Sequence, residues 1–305
     1  MLYSGDLKVL TRLVLDTDRQ SRRAMYAGPG GMRGVFAGAV TSELESLKLI
    51  QRFHFAFGGS TGALAVAYPF AGQAARGTDI YPNECLGGQF ISYRRARTGR
   101  LMDLDYIASV FDTSPRVAID HAALMRSKTE CYFTLTNAET GEGEFFPIRG
   151  SRERLMRAVR ATIAVPMFSD AIELEGKYYY DGGVGFPFPV REIIEQFHPT
   201  DLLIIANRTP EYRENGGILR RTWEHFANRN LPEAVRLANA RRGEVFEEGL
   251  AYLKHQTACR WLILWGDPRL GAVTQDREKI LRVIADTRRE TVDLIRGLNP
   301  KSLAL

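Results

Sequence analysis

The first third of the chain alternates between short apolar runs and segments whose apolar residues recur at helical spacing. Residues 23–28 and 53–57 are predicted strands, and the second shows no clean polar alternation, as is typical of parallel strands covered on both faces. A helix is predicted from about Val35, and a second from residues 61–68, ending near Pro69. The order strand, helix, strand, helix predicts an α/β sheet.

The rest of the chain continues this mixture. The pattern predicts hairpins within residues 131–148 and 172–180, helices at 152–163 and 189–197, and strands at 201–207 and 260–267. From Ile218 onward long helical patterns dominate the sequence, and the last of these strands interrupts them. A soft boundary is therefore expected near residues 208–217, between a sheet-building part and a mainly helical C-terminal part.

Composition narrows the class of protein. With 305 residues, 45% hydrophobic and 25% charged, the chain is typical of a globular protein with a full core. No apolar stretch reaches the roughly 20 residues that span a bilayer, and the N-terminus lacks a signal-peptide core. Cys85, Cys131 and Cys259 are far apart, as expected of reduced thiols. We therefore expect a cytoplasmic protein.

The chain is moderately basic, with a formal charge of +5. Such charge is most simply solvated surface, and it also permits peripheral contact with anionic lipid at the inner membrane face. No nucleic-acid-binding motif accompanies it, so nucleic acid is not an expected partner. The clustered arginines are Arg94, Arg95, Arg97 and Arg100; Arg220 and Arg221; and Arg288 and Arg289.

Ser60 lies in the sequence Gly58-Gly59-Ser60-Thr61-Gly62, which matches the pattern G-x-S-x-G. That pattern suits a sharp turn from strand to helix, in which small neighbours let the two elements approach and the serine hydroxyl projects from the sheet edge. The apolar strand before it and the small-residue helix after it provide this context. Ser60 is a candidate nucleophile, and the alternative is an N-cap in an ordinary turn.

A second glycine-rich loop, residues 28–34, connects the first strand to the first helix. Its backbone N–H groups could bind a phosphate or stabilise the oxyanion of an acyl-transfer reaction. A dinucleotide loop expects an acidic residue at the end of the next strand, and here that strand ends in Gly58-Gly59-Ser60. The oxyanion interpretation is therefore favoured.

Asp181 opens the third motif, Asp181-Gly182-Gly183, at the end of a predicted strand. Two flexible glycines after an aspartate allow its carboxylate to approach a distant partner. Taken alone, an Asp-Gly turn in a hairpin is the commoner explanation.

Together these motifs resemble the patatin-like phospholipase family. The resemblance rests on G-G-x-R-G at Gly30 to Gly34, G-x-S-x-G at Gly58 to Gly62 and D-G-G at Asp181 to Gly183, in that order. It covers roughly residues 24–207, and Pro29 replaces a glycine that many members carry. It implies a three-layer α/β/α fold with a mainly parallel central sheet, formed by a catalytic domain of residues 23–207. An arm (1–22) precedes this domain, and a mainly helical extension (208–305) packs on it.

The resemblance also implies a function. Ser60 would attack a carboxylic ester of a lipid and Asp181 would accept its proton. The N–H groups of Gly30, Gly31 and Met32 would stabilise the oxyanion, and neither cofactor nor metal is expected. Arg33 is expected to shape the loop through side-chain hydrogen bonds. The supporting motif residues are Arg33, Gly34, Gly58, Gly62, Gly182 and Gly183.

Several alternatives remain open on sequence alone. They are an acyltransferase, an idle lipid-binding or regulatory protein of the same fold and, less favoured, an NADP-binding oxidoreductase. A histidine triad is less favoured than the dyad, because none of His54, His121, His198, His225 and His255 lies in a glycine-flanked loop. The candidates for an acyl-chain groove are Phe36, Leu64, Tyr68, Phe70, Phe186 and Phe188.

Overall fold

The computed structural model describes residues 1–15, 20–90, 92, 94–95, 102–166, 168–212 and 231–298. His225 and the arginines at 97, 100, 220 and 221 lie outside the described residues. The helices are α1 (Lys8–Leu15), α2 (Val35–Ser46), α3 (Leu64–Phe70), α4 (Ala74–Asn83), α5 (Leu104–Thr113), α6 (His121–Arg126), α7 (Arg152–Thr162), α8 (Gly182–Gly185), α9 (Val190–Phe197), α10 (Glu233–His255) and α11 (Arg277–Leu298). The strands are β1 (Tyr3–Gly5), β2 (Arg23–Ala27), β3 (Phe55–Gly59), β4 (Glu130–Asn137), β5 (Gly143–Pro147), β6 (Ile172–Leu174), β7 (Lys177–Asp181), β8 (Asp201–Ala206) and β9 (Arg260–Trp265).

The described strands form one mixed sheet in the order β1-β9-β8-β2-β3-β4-β7-β6, with β5 paired to β4. The five strands from β9 to β4 are parallel to one another. The outer pairings, β1 with β9 and β7 with β4 and β6, are antiparallel. The predicted α/β fold with a mainly parallel central sheet is confirmed.

Helices cover both faces of this sheet. In β2, Met25 and Ala27 pack into a core with α1, α2, α3, α7 and α11, whereas Ala24 and Tyr26 pack into a second core with α9 and α10. Successive side chains of a strand point to opposite faces, so both sets of positions must be apolar. This double burial is the physical reason that the strand sequences lack polar alternation.

Two strands of the sheet come from the N-terminal and C-terminal parts of the chain. Strand β9, from the predicted C-terminal extension, lies between β1 and β8, and β1 belongs to the predicted N-terminal arm. Helix α11 packs on α2 and buries Ile280 and Ile284 in the first core. In the part of the chain that the structure describes, no helix has both the length and the apolar composition needed to cross a membrane.

The register of β4 positions the loops that matter for function. Thr134 of β4 pairs with Gly59 at the end of β3, and the next residue, Leu135, pairs with Asp181 at the end of β7. The end of β2 lies beside β3 on the other side, where Ala27 pairs with Gly58. All three glycine motifs therefore meet at one edge of the sheet.

Candidate active site

Ser60 occupies a strained turn between β3 and α3. Its φ is +54°, in the left-handed region that costs a non-glycine residue about 1–3 kcal/mol. Its N–H donates to Thr162 Oγ1 at 3.0 Å, and the Thr162 hydroxyl donates to the Thr134 carbonyl at 3.0 Å. These bonds connect the turn to α7 and β4 and thereby hold the strained backbone in place.

The glycines around Ser60 permit close contacts between backbones. A Cβ atom on Gly62 would lie 2.0 Å from the carbonyl oxygen of Ala27, and one on Gly58 would lie 2.4 Å from the carbonyl oxygen of Gly62. No larger residue fits at either position without a backbone shift. The side chain of Ser60 does not cap the helix that follows, so the N-cap alternative does not describe this serine.

Asp181 ends β7 and meets Ser60 in the interior. Its side chain is buried, with 4% exposure, and its carboxylate accepts the Gly183 N–H at 2.7 Å. The carboxylate is also near enough to the Ser60 side chain for hydrogen bonding with it to lower the pKa of Asp181. Its backbone carbonyl accepts a bond from Thr136 Oγ1 at 2.7 Å. The neighbouring Gly182 is required by packing, because a Cβ atom there would lie 2.1 Å from the Thr134 carbonyl oxygen.

Burial gives this carboxyl group an unusual acidity. Removal from water raises the pKa of Asp181 from its ordinary value of 3.8 to about 6. The hydrogen bonds from Ser60 and Gly183 and the positive charge of Arg242 oppose this rise without cancelling it. Asp181 is therefore ionised at neutral pH, yet much more basic than an exposed aspartate.

The loop before α2 brings backbone N–H groups to the same place. Within the described residues, the N–H groups of Gly30 and Gly31 have no protein acceptor, and both residues line the cavity beside Ser60. The Met32 N–H differs, because it donates to the Ala272 carbonyl at 2.9 Å. Of the three expected donors, Met32 is therefore already engaged within the fold.

Two further contacts shape this loop. Arg33 Nε donates to the Gly30 carbonyl at 3.1 Å, and the Arg33 guanidinium lies over the Tyr212 ring, 4.5 Å from its centroid. Gly31 has a φ of +57°, and a Cβ atom there would lie 2.4 Å from the Ala272 carbonyl oxygen. Only glycine suits this position, on both grounds.

A cavity of about 420 Å³ opens beside Ser60 and Asp181. One wall is apolar and is formed largely by α5, α7 and the segment that follows α4. Its residues include Leu64, Cys85, Phe90, Ile107, Phe111 and Val159. Burial raises the pKa of the Cys85 thiol to about 12, so this residue contributes a neutral surface. Such a wall can hold a hydrocarbon chain beside the serine.

The opposite wall comes mostly from residues that follow β8. It contains Arg208, Tyr212, Asn239, Arg242, Ala272 and Val273. Sequence reasoning missed these residues and also Thr162, because they carry no motif and lie far along the chain from Ser60. An arginine or threonine on a helix gives no local signal that it faces a cavity.

Most of the expected groove residues have other positions. Leu64 lines the cavity, whereas Tyr68 is fully buried and donates to the Val117 carbonyl at 2.6 Å. Phe188 packs on Tyr26 and Phe246, and Phe186 packs on Phe145. Neither of them, nor Phe36 or Phe70, lies among the described residues that line the cavity.

The described histidines lie away from the cavity. The side chain of His54 is exposed, and its Nδ1 accepts the Arg23 N–H at 3.1 Å. His121 contacts the Gly150 carbonyl, and His198 caps α9 with a φ of +47°. His255 is the last residue of α10. None of the four lines the cavity beside Ser60.

Comparison with known proteins identifies the family of this chain. A family model described as patatin-like phospholipase matches residues 28–194. The uncharacterized protein YjjU of Escherichia coli K12 is 25% identical over 193 residues, which cover 62% of this chain and 52% of YjjU. The chain thus matches about half the length of that relative. The crystal structure of VipD from Legionella pneumophila is 13% identical, with a TM-score of 0.46, over 91% of this chain and 67% of VipD.

Proposed function

This chain belongs to the patatin-like phospholipase family, and on that premise we propose that it is a serine hydrolase that cleaves carboxylic esters of lipids. In this proposal Ser60 is the nucleophile and Asp181 is the general base and acid. One observation carries it: a serine with a strained backbone lines the same cavity as a buried carboxylate within its reach, beside two backbone N–H groups without a protein acceptor in the described part of the chain.

The proposed reaction proceeds through an acyl-enzyme. Ser60 Oγ attacks the ester carbonyl while its proton passes to Asp181, and the carbonyl oxygen becomes an oxyanion. When the C–O bond breaks, Asp181 returns the proton to the departing alcohol. Water then attacks the acyl group, gives a proton to Asp181, and the fatty acid leaves as Ser60 regains its hydrogen. The raised pKa of Asp181 suits it to both steps.

The oxyanion would be stabilised by the N–H groups of Gly30 and Gly31. The Met32 N–H is omitted from this role because Ala272 already accepts it. Removing one oxyanion donor typically costs about 3–4 kcal/mol in the transition state. A backbone N–H cannot be deleted by substitution, but the shape of the loop can be disturbed, since Gly31 tolerates no side chain against Ala272.

The substrate is proposed to be a lipid ester whose acyl chain lies along the apolar wall of the cavity. The proposed setting is the cytoplasm, with peripheral contact at an anionic membrane surface. The formal charge of +5 supports that contact. Val273, which is 48% exposed at the cavity, offers an apolar group at the entrance.

Covalent labelling with a fluorophosphonate, followed by hydrolysis of a p-nitrophenyl ester, tests the proposal. We expect the wild type to be labelled, and Ser60→Ala to lose both labelling and turnover. Ser109→Ala is the matched control, because Ser109 is exposed on α5 and, among the residues that the structure describes, its hydroxyl bonds only the Tyr106 carbonyl. Labelling that persists in Ser60→Ala would refute the assignment of the nucleophile.

The alternatives give different results in the same experiment. An idle binding protein would show no turnover that depends on Ser60. An acyltransferase would be labelled and would transfer the acyl group to an added alcohol faster than to water. An oxidoreductase would bind NADP tightly, with no effect of Ser60→Ala.

A further inference from the structure

The walls of the cavity differ in charge as well as in polarity. Among the described residues that line it, Arg33, Arg208 and Arg242 are the cations and Asp181 is the only carboxylate. All three arginines line the same cavity as the apolar residues. Ser60 therefore shares its cavity with a hydrocarbon surface and with three cations.

Contacts with aromatic rings bring these arginines together. The guanidinium groups of Arg33 and Arg208 both lie over Tyr212, 4.5 and 5.2 Å from the ring centroid. Arg208 also lies over Phe246, at 4.2 Å, and Phe246 follows Arg242 by one helical turn on α10. Arg208 and Arg242 are thus on the same side of the site.

Both arginines are close to the reacting groups. Arg208 and Asp181 both influence the buried hydroxyl of Tyr26. Burial raises the pKa of this hydroxyl, the positive charge of Arg208 lowers it, and the negative charge of Asp181 raises it further. Arg242 acts on Asp181 itself and donates to Asn239 Oδ1 at 3.2 Å. Arg208 and Arg242 therefore line the same cavity as Ser60 and Asp181, within which an ester bound at Ser60 would lie.

From this geometry we infer that Arg208 and Arg242 form a subsite for an anionic group on the alcohol side of the ester, so that the enzyme prefers lipids with a net negative headgroup to zwitterionic ones. The inference rests on the proposed function, which supplies the premise that the substrate is a lipid ester. Guanidinium groups bind phosphate and carboxylate through paired, charge-assisted hydrogen bonds. A zwitterionic headgroup would bring an ammonium group toward like charges, and the nearby carboxylate of Asp181 already interacts with the Ser60 side chain.

The two residues lie beyond residue 194, where the match to the family model ends. Headgroup preference would therefore be a property of the C-terminal part of this chain, while the proposed nucleophile and base belong to the matched part. Arg208 is buried and stacked, so its replacement also removes packing. Arg242 is only half-buried and is the better position for a test.

The deciding measurement is calorimetric binding of single-chain amphiphiles to Ser60→Ala, which needs no catalysis. We expect dodecyl phosphate to bind about tenfold more tightly than dodecylphosphocholine, the effect of about one charge-assisted hydrogen bond. Adding Arg242→Gln should remove most of this difference, and Arg242→Lys should retain part of it. Equal binding of the two amphiphiles would overturn the inference, whether or not the protein hydrolyses esters.

A neighbouring arginine gives the matched control. Arg241→Gln changes the same charge one residue away, on an exposed side chain that pairs with Glu244 at 3.3 Å and Glu248 at 3.6 Å. It should leave the preference unchanged. If Arg241→Gln and Arg242→Gln weaken the binding of dodecyl phosphate equally, the effect comes from the overall charge of the protein, and the subsite is refuted.

Turnover of monomeric dihexanoyl phosphatidylglycerol and phosphatidylcholine then separates specificity from catalysis. Arg242→Gln should lower kcat/KM for phosphatidylglycerol about tenfold, mainly through KM, and leave phosphatidylcholine nearly unchanged. An equal loss on both substrates would show that Arg242 acts through Asp181, against the inference. Absence of turnover by the wild type, with selective binding intact, would count against the proposed function alone.

Discussion

Two buried aspartates lie at opposite ends of the parallel strands, and they are held in different ways. Asp201 begins β8, is 1% exposed, and bonds Arg12 at 3.2 Å and Arg260 at 3.0 Å. Asp181 ends β7 and is 4% exposed, and among the described residues its carboxylate accepts the Gly183 N–H and lies near the Ser60 side chain, with no ion pair. Asp201 is thus neutralised by direct ion pairs, whereas Asp181 is not.

The difference separates a carboxylate held in ion pairs from the one that we propose as the base. The charge of a buried carboxylate between two guanidinium groups is compensated by direct ion pairs. One that is buried with neutral donors has a raised pKa, as Asp181 does at about 6. Burial is common to both aspartates, and the difference between them lies in the groups that their carboxylates contact.

Loss of the base should have the largest effect on turnover. Asp181→Asn removes the proton acceptor for Ser60, and we expect kcat/KM for a p-nitrophenyl ester to fall about 10³–10⁴-fold. Asp201→Asn should stay within about twofold of the wild type, measured at a temperature where it is folded. Equal losses in the two variants would remove the functional distinction between the aspartates.

Asp181→Asn should also stabilise the folded protein at pH 8. Folding raises the pKa of Asp181 from 3.8 to about 6, so this group's contribution to stability falls as pH rises through that range. The resulting cost above pH 6 is at most about 3 kcal/mol. Asp181→Asn should therefore unfold at higher denaturant concentration at pH 8 and lose this advantage near pH 4. A destabilised Asp181→Asn at pH 8 would contradict the raised pKa.

Asp201→Asn should have the opposite effect on stability and destabilise the folded protein. Loss of the carboxylate leaves Arg12 and Arg260 without their shared counter-charge at the sheet edge, and we expect a destabilisation of about 2 kcal/mol. The partly exposed arginines can reach water, which keeps the effect below that of a fully buried pair. Chemical denaturation at pH 7 measures it, and an unchanged midpoint would show that these ion pairs contribute nothing net.

The pH profile gives the finest comparison. Asp181 accepts a proton only when ionised, so kcat/KM should fall about tenfold per pH unit well below pH 6 and level off above it. Asp201→Asn should keep this midpoint, because Asp201 lies at the far end of the strands from Ser60. A midpoint near 4 in the wild type would show that the base is an ordinary exposed carboxyl group.

Much of the fold was predictable because its signals are local. The strands at β2, β3, β8 and β9 were expected from apolar runs, and the hairpin of β6 and β7 from its turn at Glu175-Gly176. The helix expected to end near Pro69 continues through it to Phe70, since Pro69 lies in its last turn. The N-terminal elements β1 and α1 were not predicted. They are short, and β1 is held by its pairing with β9, more than 250 positions away.

The candidate site was predictable in part for the same reason. Each glycine motif reports a backbone requirement that its own neighbours impose, as the φ of +54° at Ser60 shows. The contacts that complete the site left no such signal. Thr162 holds the Ser60 turn, and Ala272 takes the N–H of Met32, from positions more than 100 and 200 residues away.

The sequence alone determined the three motifs, their order, and the kind of backbone that each requires, because those properties depend on residues adjacent in the chain. Only the tertiary structure decided that Ser60 and Asp181 meet, since this depends on Thr134 and Leu135 of β4 pairing with the ends of β3 and β7. It also decided that Arg208 and Arg242 face the same cavity. Strand order and register follow from burying both faces of the sheet at once, and no local pattern specifies that result.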